Sequence, residues 1–508
     1  MPNPGTGLPQ YSSSLNRLTF VRAMSCLYRV SRGQREHTAT LSCKALIDPI
    51  GQLTIVDSLT RTSMTLTIPN CPVKRDLTHI IQAGLVGGHP EQAIQQLVNI
   101  QGSTLWVGPR CYDLRRYDRL AAVGAGKASA YMAQALEQIL GDHLWKGIVV
   151  TKSGHGCPTA TIQVQESRHP IPSLHGERTA RYLLSFVETL TARDLVFVLI
   201  SGGASSLLPI PAPGLTLEDK QQTTQLLIAS GASIKEINTV RKHLSAIKGG
   251  RLVTSTRASF ISLLLSDVMG DDVSTIGSGL TAPDPTTFTD SKNILRFYHL
   301  WSKVSSPIRS YIQKGISGKV PESPKSGLRR FHHVQHEVIG NNLKVVAPAV
   351  AIAQQKGYHS LVLTTSLCGE AREIGAVIGS IVQEIHHCGR PVPRPACLFL
   401  GGEPTVTLKG YGKGGRAQEL SLSVALHIAG IPNVWVAALG TDGTDGPTQV
   451  AGAVVSGQTI FCANRLAVDP VRALANHNSF HFFQKVGGHI ITGPTGTNLN
   501  DLYMILAP

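Results

Sequence analysis

The chain has no run of about 18 apolar residues, the length a helix needs to cross a bilayer, and so carries no membrane-span signal. Its longest apolar stretches, such as Ile261 to Leu265 and Val434 to Leu439, have the length of strands. No pair among its nine cysteines has C-x-x-C spacing, and the number is odd. That argues against a disulfide framework and a structural zinc site, and fits a reducing compartment. The histidine clusters His332-His333-x-x-His336 and His386-His387 lack suitably spaced acids or cysteines to complete a metal site. No apolar core of a secretory signal precedes the fold. Aromatics are only 5%, and neither a basic helix interleaved with them nor a zinc-finger spacing is present. The net charge of +15 could point to nucleic acid, an acidic membrane surface or anionic substrates; without such motifs it reads as general surface basicity, part of which an anionic small substrate explains. The reading is of a protein without nucleic-acid or membrane partners; its oligomeric state is not written in the sequence.

What the chain has in quantity is glycine, 50 residues of 508, gathered into five turns beside charged or amide side chains. They read Val123-Gly-Ala-Gly-Lys127-Ala-Ser129, Ser201-Gly-Gly-Ala-Ser-Ser206, Gly401-Gly-Glu403 with Gly414-Gly-Arg416, Gly440-Thr-Asp442-Gly-Thr-Asp445-Gly446, and Thr495-Gly-Thr-Asn498. Without a Cβ, the backbone amides of such turns can approach phosphate oxygens closely.

The length predicts two or three domains of roughly 100–200 residues. Residues 1–63 hold seven Lys or Arg against three acids and many Ser and Thr. They read as a leader: a disordered or over-extended start, or an organelle transit peptide. The first reading goes with a cytoplasmic protein, the second with a mitochondrial one. Residues 74–312 alternate strand and helix, which predicts an α/β domain with a mainly parallel, Rossmann-like sheet. Thr216-x-x-Asp219 and Ser233-x-x-Glu236 open helices with capping boxes. One face of the second helix gathers Asn238, Arg241, Lys242, Ser245 and Lys248, as a solvated basic face or the wall of an anion-binding cleft. Residues 313–335, rich in Gly, Pro, Ser and Lys around 314–326, read as a linker. A second α/β domain follows over 336–508, with expected strands at 337–339, 360–364, 396–400, 405–409, 434–439 and 489–492.

Ligands of α/β sheets bind off the carboxyl ends of the strands, where all five turns are expected to lie. The first turn is a poor dinucleotide fingerprint. Ser129 replaces the third glycine, and Lys152 ends the next strand where a ribose-binding acid belongs. Its spacing is not that of a Walker A loop. Lys127 at the mouth of a glycine turn suits phosphate neutralisation. Gly124, Gly126, Ser201, Gly202, Gly203 and Ser205 are candidate cofactor-binding positions. Asp267, at the polar end of a buried strand, is a candidate Mg²⁺ ligand or proton acceptor. Glu403 follows Gly401-Gly402 in the same way, and Arg416 offers a bidentate grip on carboxylate or phosphate. Asp442 and Asp445 either bind Mg²⁺ or stabilise their turn.

These motifs, taken in order with Asn-Thr-Val-Arg-Lys-His-Leu-Ser (238–245) and Leu-Ser-Asp-Val-Met-Gly-Asp (265–271), resemble the class II glycerate kinases. The C-terminal part of that family is called the MOFRL domain, here about residues 394–504. The resemblance covers roughly residues 74 to 508. It implies ATP- and Mg²⁺-dependent phosphorylation of D-glycerate to 2-phosphoglycerate, or to 3-phosphoglycerate, with the active site in the interdomain cleft between two α/β domains. It also implies catalytic roles for Lys127 and Arg416, with Asp267 and Glu403 as acids, and binding roles for Asp442 and Asn498. Asp267 and Asp442 are the expected metal ligands. The alternatives are a hydroxypyruvate reductase using NAD(P)H and a non-catalytic nucleotide- or glycerate-binding module. Leu280 and Ala417 stand where many relatives have proline and asparagine.

Overall fold

The computed structural model describes residues 63–508 and, before them, the strands Ala23–Tyr28, Ala39–Ile47 and Leu53–Asp57. With Ser63–Leu66 these make a four-stranded sheet in chain order, the first three strands antiparallel. The leader expected over 1–63 falls largely outside the described residues. Residues 66–508 are a separate unit and contain all that follows.

The first large sheet is built from β1 (Arg119–Ala125), β2 (Leu144–Lys152), β3 (Ile162–Ser167), β4 (Asp194–Ile200), β5 (Ser259–Leu265) and β6 (Val334–Gly340). All pairings are parallel, in the order β3-β2-β1-β4-β5-β6. β4 is buried along its whole length, as expected for a central parallel strand covered on both faces and written as an unbroken apolar run. Val123, Val198 and Leu264 from three neighbouring strands share one core with Leu183 of the helix Leu174–Glu188. The chain moves outward from β1 to β3, then returns to lay β4 on β1's other side. The carboxyl ends of β1 and β4 therefore flank the switch point at which such sheets bind ligands.

Between β4 and β6 lies a helical layer. The helices Leu217–Ala229, Ile234–His243 and Phe288–Phe297 each begin with a complete capping box, from Thr216, Ser233 and Thr287. Leu227, Val240, Phe288, Leu295 and Ile312 form its separate core.

The second large sheet holds β7 (His359–Leu367), β8 (Ala396–Gly402), β9 (Trp435–Gly440), β10 (Gly452–Ser456), β11 (His489–Ile490) and β12 (Asp501–Ala507). Its order is β7-β8-β12-β9-β10-β11, and only the β7–β8 pair is parallel. Because β12 runs against β8 and β9, its first residue lies at the edge where those two strands end.

Four features differ from the sequence reading. The strand expected to open the C-terminal region is β6, the edge of the first sheet, paired with β5. The segment expected as a linker is packed in place: Asp284 N donates to Pro324 O at 2.9 Å, and Glu322 Oε1 pairs with His243 Nε2 at 2.8 Å. Residues 405–409 form no strand, since Thr407 N is taken by Glu370 and Lys409 N by His477, leaving no ladder to join. The helix Lys74–Gly87, at the start of the first expected domain, lies against Asn342–Gln355 beside the second sheet. A Cβ on Gly87 would come within 2.4 Å of Pro348 Cγ, so glycine permits the approach. Lys356 Nζ and the Tyr358 hydroxyl both donate to Asp76 at 2.8 Å.

Candidate active site

The turns after β1 and β4 touch. A Cβ on Gly126, whose φ is +141°, would lie 2.0 Å from Ser201 Oγ, so only glycine allows this contact. Ala128 N donates to Ser201 Oγ at 3.0 Å and Lys127 N to Gly202 O at 2.9 Å. Gly124, Gly126, Ser201 and Gly202 are buried against protein. Ser201 thus joins the turns rather than facing the crevice, while Gly203 and Ser205 keep part of their surface. The joined turns aim Lys127 out of the first sheet.

The second sheet presents its own turns to Lys127. Asp442, just beyond β9, meets Lys127 Nζ through Oδ2 at 2.6 Å. Lys127 Nζ also reaches Asn498 Oδ1 at 3.5 Å, and Asn498 Nδ2 reaches Asp267 Oδ2 at 3.5 Å. A line Asp442–Lys127–Asn498–Asp267 therefore crosses between the lobes. Gly202 makes room for it, since a Cβ there would fall 1.7 Å from Asn498 Nδ2 and 2.1 Å from Asp267 Oδ2.

Arg416 opens the helix Arg416–His427 and is held from two sides. Its Nε and Nη2 donate to the Asp501 carboxylate at 2.6 and 2.9 Å, and Nη1 donates to Glu403 Oε1 at 2.5 Å. The two aspartates of the Thr-Asp-Gly-Thr-Asp-Gly turn divide their work. Asp445 is buried and accepts from Ala417 N and Gln418 N, capping that helix. Asp442 is the counter-ion of Lys127, and its Oδ1 accepts from Thr444 N and Oγ1. Ala417 is fully buried beside the cap, and Leu280 lies in the first sheet's core.

Burial alone would discharge these groups, and their neighbours decide the outcome. Desolvation opposes charge on Lys127, but Asp442 outweighs it and holds the ammonium above its ordinary range. Burial likewise opposes charge on Asp442, and Lys127 holds that carboxyl well below the usual range. Asp267 has no such partner: burial, helped by the charge of Glu403, pushes it up to about 6. His155 and His169 are driven down to about 4 and about 3, by burial first and the nearby lysines second. Both rings are neutral near pH 7.

Two contributors escaped the sequence reading. Asp501, the anchor of Arg416, opens an otherwise apolar strand; an acid at the start of a buried strand was the available signal. His169 lies beside Gly203, where a Cβ would meet its ring at 3.0 Å, and no sequence pattern marks it. Lys152, noted only for what it excludes, ends β2 with Nζ 3.5 Å from Thr444 Oγ1. A cation thus occupies the place of a dinucleotide's ribose acceptor.

Among the described residues, no three His, Cys, Asp or Glu side chains converge as a metal cage. Mg²⁺ bound with substrate phosphates needs only one or two protein carboxylates. Asp267 and Glu403 fit that requirement, because the charge of Glu403 raises the cost of ionising Asp267 and a dication would relieve it. Asp442 fits it less well, with both oxygens engaged.

Two α/β lobes, meeting at a cleft where glycine turns present a lysine, an arginine and several acids, describe a small-molecule phosphotransferase. Residues 76–313 match a family model described as a domain of unknown function (DUF4147), and residues 396–501 match the MOFRL family. Glycerate 2-kinase of Pyrococcus horikoshii is 40% identical over 84% of this chain and 96% of its own length. The crystal structure of glycerate kinase from Thermotoga maritima superposes with a TM-score of 0.72 at 38% identity, over 86% of this chain and 99% of that one. A putative hydroxypyruvate reductase of Agrobacterium vitis is 41% identical over 76% of this chain and 87% of its own length. The chain belongs to the class II glycerate kinase family.

Proposed function

We propose that this enzyme transfers the γ-phosphoryl group of ATP to D-glycerate, with Mg²⁺, giving 2-phosphoglycerate. The observation that carries the reading is the line from Asp442 through Lys127 and Asn498 to Asp267, across the lobes. It sets an ammonium fixed by Asp442 toward one end and a carboxylate with an elevated pKa at the other. Phosphoryl transfer asks a protein chiefly for positioning and charge neutralisation.

Lys127 meets the charge on the transferring phosphoryl oxygens. Arg416, locked by Asp501 and Glu403, points a preset guanidinium at the same region. Asp267 takes the proton of the attacking C2 hydroxyl as its oxygen bonds to phosphorus and ADP departs. Its pKa near neutrality suits a group that accepts a proton and returns it to water. A Mg²⁺ ion held by Glu403 with substrate phosphates would neutralise charge on the donor and leave Asp267 free as the base. Neutral His169 and His155 exclude water beside Lys127 without competing for phosphate.

The test is ³¹P NMR of a reaction of ATP, Mg²⁺ and D-glycerate, with hydroxypyruvate and NADH in parallel. A 2-phosphoglycerate resonance is expected. A 3-phosphoglycerate resonance would keep the kinase and correct the hydroxyl. NADH oxidation without phosphoglycerate would replace the kinase with a reductase, the name carried by the Agrobacterium relative.

A further inference from the structure

The charges of the interdomain cleft are already spoken for. Lys127 is paired with Asp442, and Arg416 with Asp501 and Glu403. Counting Asp267 and Lys152, four acids face three cations. Two anionic substrates must nonetheless bind here under the proposed function, on which this inference rests.

Unpaired positive charge lies on the other side of the Ser201–Ser206 turn. A cavity of about 190 Å³ is lined there by Ser205, Ser206, Lys220, Arg241 and Lys248, with Pro170 and Ile171 among its apolar walls. No carboxylate lines it. Lys248 is 1% exposed and Lys220 7%, so both ammoniums are taken from water. Each is fixed by two carbonyl oxygens: Lys220 by Pro209 and Ile210, Lys248 by Ser205 and Leu208. An ammonium has three N–H donors, so each retains one. Arg241 has no hydrogen-bond or ion-pair partner among the described residues, and burial alone shifts it, downward. Glu177, an acid whose charge reaches Lys220, is itself paired with Arg181 at 2.6 Å. Buried charges are ordinarily paired, so two buried lysines and a half-buried arginine around one small cavity, with no carboxylate among them, ask for an anion. Burial and the neighbouring cations push Lys220 down to about 7 and Lys248 well below its ordinary range, so it is an anion in the pocket that would hold both as ammoniums.

We propose that this pocket is a substrate subsite that holds an oxyanion, the carboxylate of the acceptor or a phosphate of the donor. Its position fits that role. The turn that supplies Ser205 and Ser206 is the one whose Gly203 faces Lys127, where a Cβ would lie 3.5 Å from Lys127 Cγ. An anion anchored in the pocket and a reacting group at Lys127 are separated by the thickness of one turn. The volume admits a group of phosphate or glycerate size.

The test uses the full chain, its Arg241→Ala and Arg241→Gln variants, and inorganic phosphate as probe. Phosphate should raise the unfolding temperature of the wild type and leave both variants nearly unmoved. Without phosphate, the variants should unfold at or above the wild-type temperature, since they relieve like-charge repulsion; a merely structural arginine would lower it. In steady-state kinetics one KM should rise roughly 10- to 100-fold, the range for losing a charge-assisted hydrogen bond. A rise in the KM for glycerate places its carboxylate in the pocket, and a rise in the KM for ATP places a phosphate there. Equal phosphate stabilisation of wild type and variants, or two unchanged KM values, would overturn the subsite. Failure of the wild type to phosphorylate glycerate would instead sink the proposed function, and the phosphate titration would still test the pocket.

Discussion

Arg416 and Asp501 meet in a two-point pair, with Nε on one carboxylate oxygen at 2.6 Å and Nη2 on the other at 2.9 Å. Asp501 is fully buried, while Arg416 keeps about a third of its side chain exposed. The pair fixes the plane of the guanidinium, which a lysine cannot reproduce because its ammonium is a point charge on a flexible stem. Arg416→Lys should therefore retain the fold and lose turnover by roughly 10²-fold or more, the scale of one lost transition-state contact. Asp501→Asn should do the same with Arg416 intact, because the arginine loses its orientation. Paired kcat measurements and thermal melts check this; wild-type turnover in either variant would remove Arg416 from the reaction.

Lys127 and Asp442 predict a separation of stability from activity. Both side chains are mostly buried, and removing one partner strands the other. Lys127→Met should cost about 3–5 kcal/mol of unfolding free energy, the range for breaking a buried pair. The double variant Lys127→Met with Asp442→Asn should recover much of that loss, because no buried charge is left alone. It should not recover activity, since the phosphoryl group has lost its ammonium. Denaturant titration of the four members of this cycle, with kcat for each, decides the matter. A double variant as unstable as the sum of the singles would show that the pair does not couple.

The parts of this architecture that were legible in the sequence are those governed by local rules. The β4 run Asp194–Ile200 was readable because a strand buried on both faces leaves no polar interruptions. The helix starts at Thr216 and Ser233 were readable because a capping box is a four-residue motif. The glycine turns were visible; Thr495-Gly-Thr-Asn498 follows β11 and leads into β12. That β12 then runs back between β8 and β9, antiparallel to both, is a fact of long-range pairing. The packing of Lys74–Gly87 on Asn342–Gln355 and the place of β6 in the first sheet are also contacts between distant segments. Lys127, Asp267, Arg416 and Asp442 could be picked out as chemically equipped residues. Which acid serves which cation could not, because that depends on how two sheets meet.

Gly202 predicts the effect of filling that meeting point. Its backbone is not in the left-handed region, so the demand for glycine is one of space. A methyl group there would overlap Asn498 Nδ2 and Asp267 Oδ2 and push the Asn498 turn away from Lys127. Gly202→Ala should lower kcat by about an order of magnitude or more, because misplacement of about 1 Å at a reaction centre costs that much or greater. Far-ultraviolet circular dichroism should be unchanged, because neither sheet contains Asn498. Full activity in this variant would show that the Asp442–Lys127–Asn498–Asp267 line is dispensable.

Glu322 sets an acid limit on stability away from the cleft. Burial pushes its carboxyl upward, but hydrogen bonds from His243, Phe288 N and Ser323 N overcome that and hold it down to about 2. The unfolded carboxyl titrates near its ordinary value, about 4.3. A depressed native pKa contributes stability that is fully present above the unfolded value and is lost as pH falls through the native one. The helical layer should therefore weaken between about pH 4.5 and pH 2, as native Glu322 takes up its proton and His243 loses its partner. Glu322→Gln should be less stable than wild type at pH 7, and the gap should close across that window. Urea titrations of both proteins at stepped pH read this directly. A gap that stays constant down to pH 2 would mean that the carboxylate's charge contributes nothing and that packing alone holds the segment, because only the charged form is linked to protons.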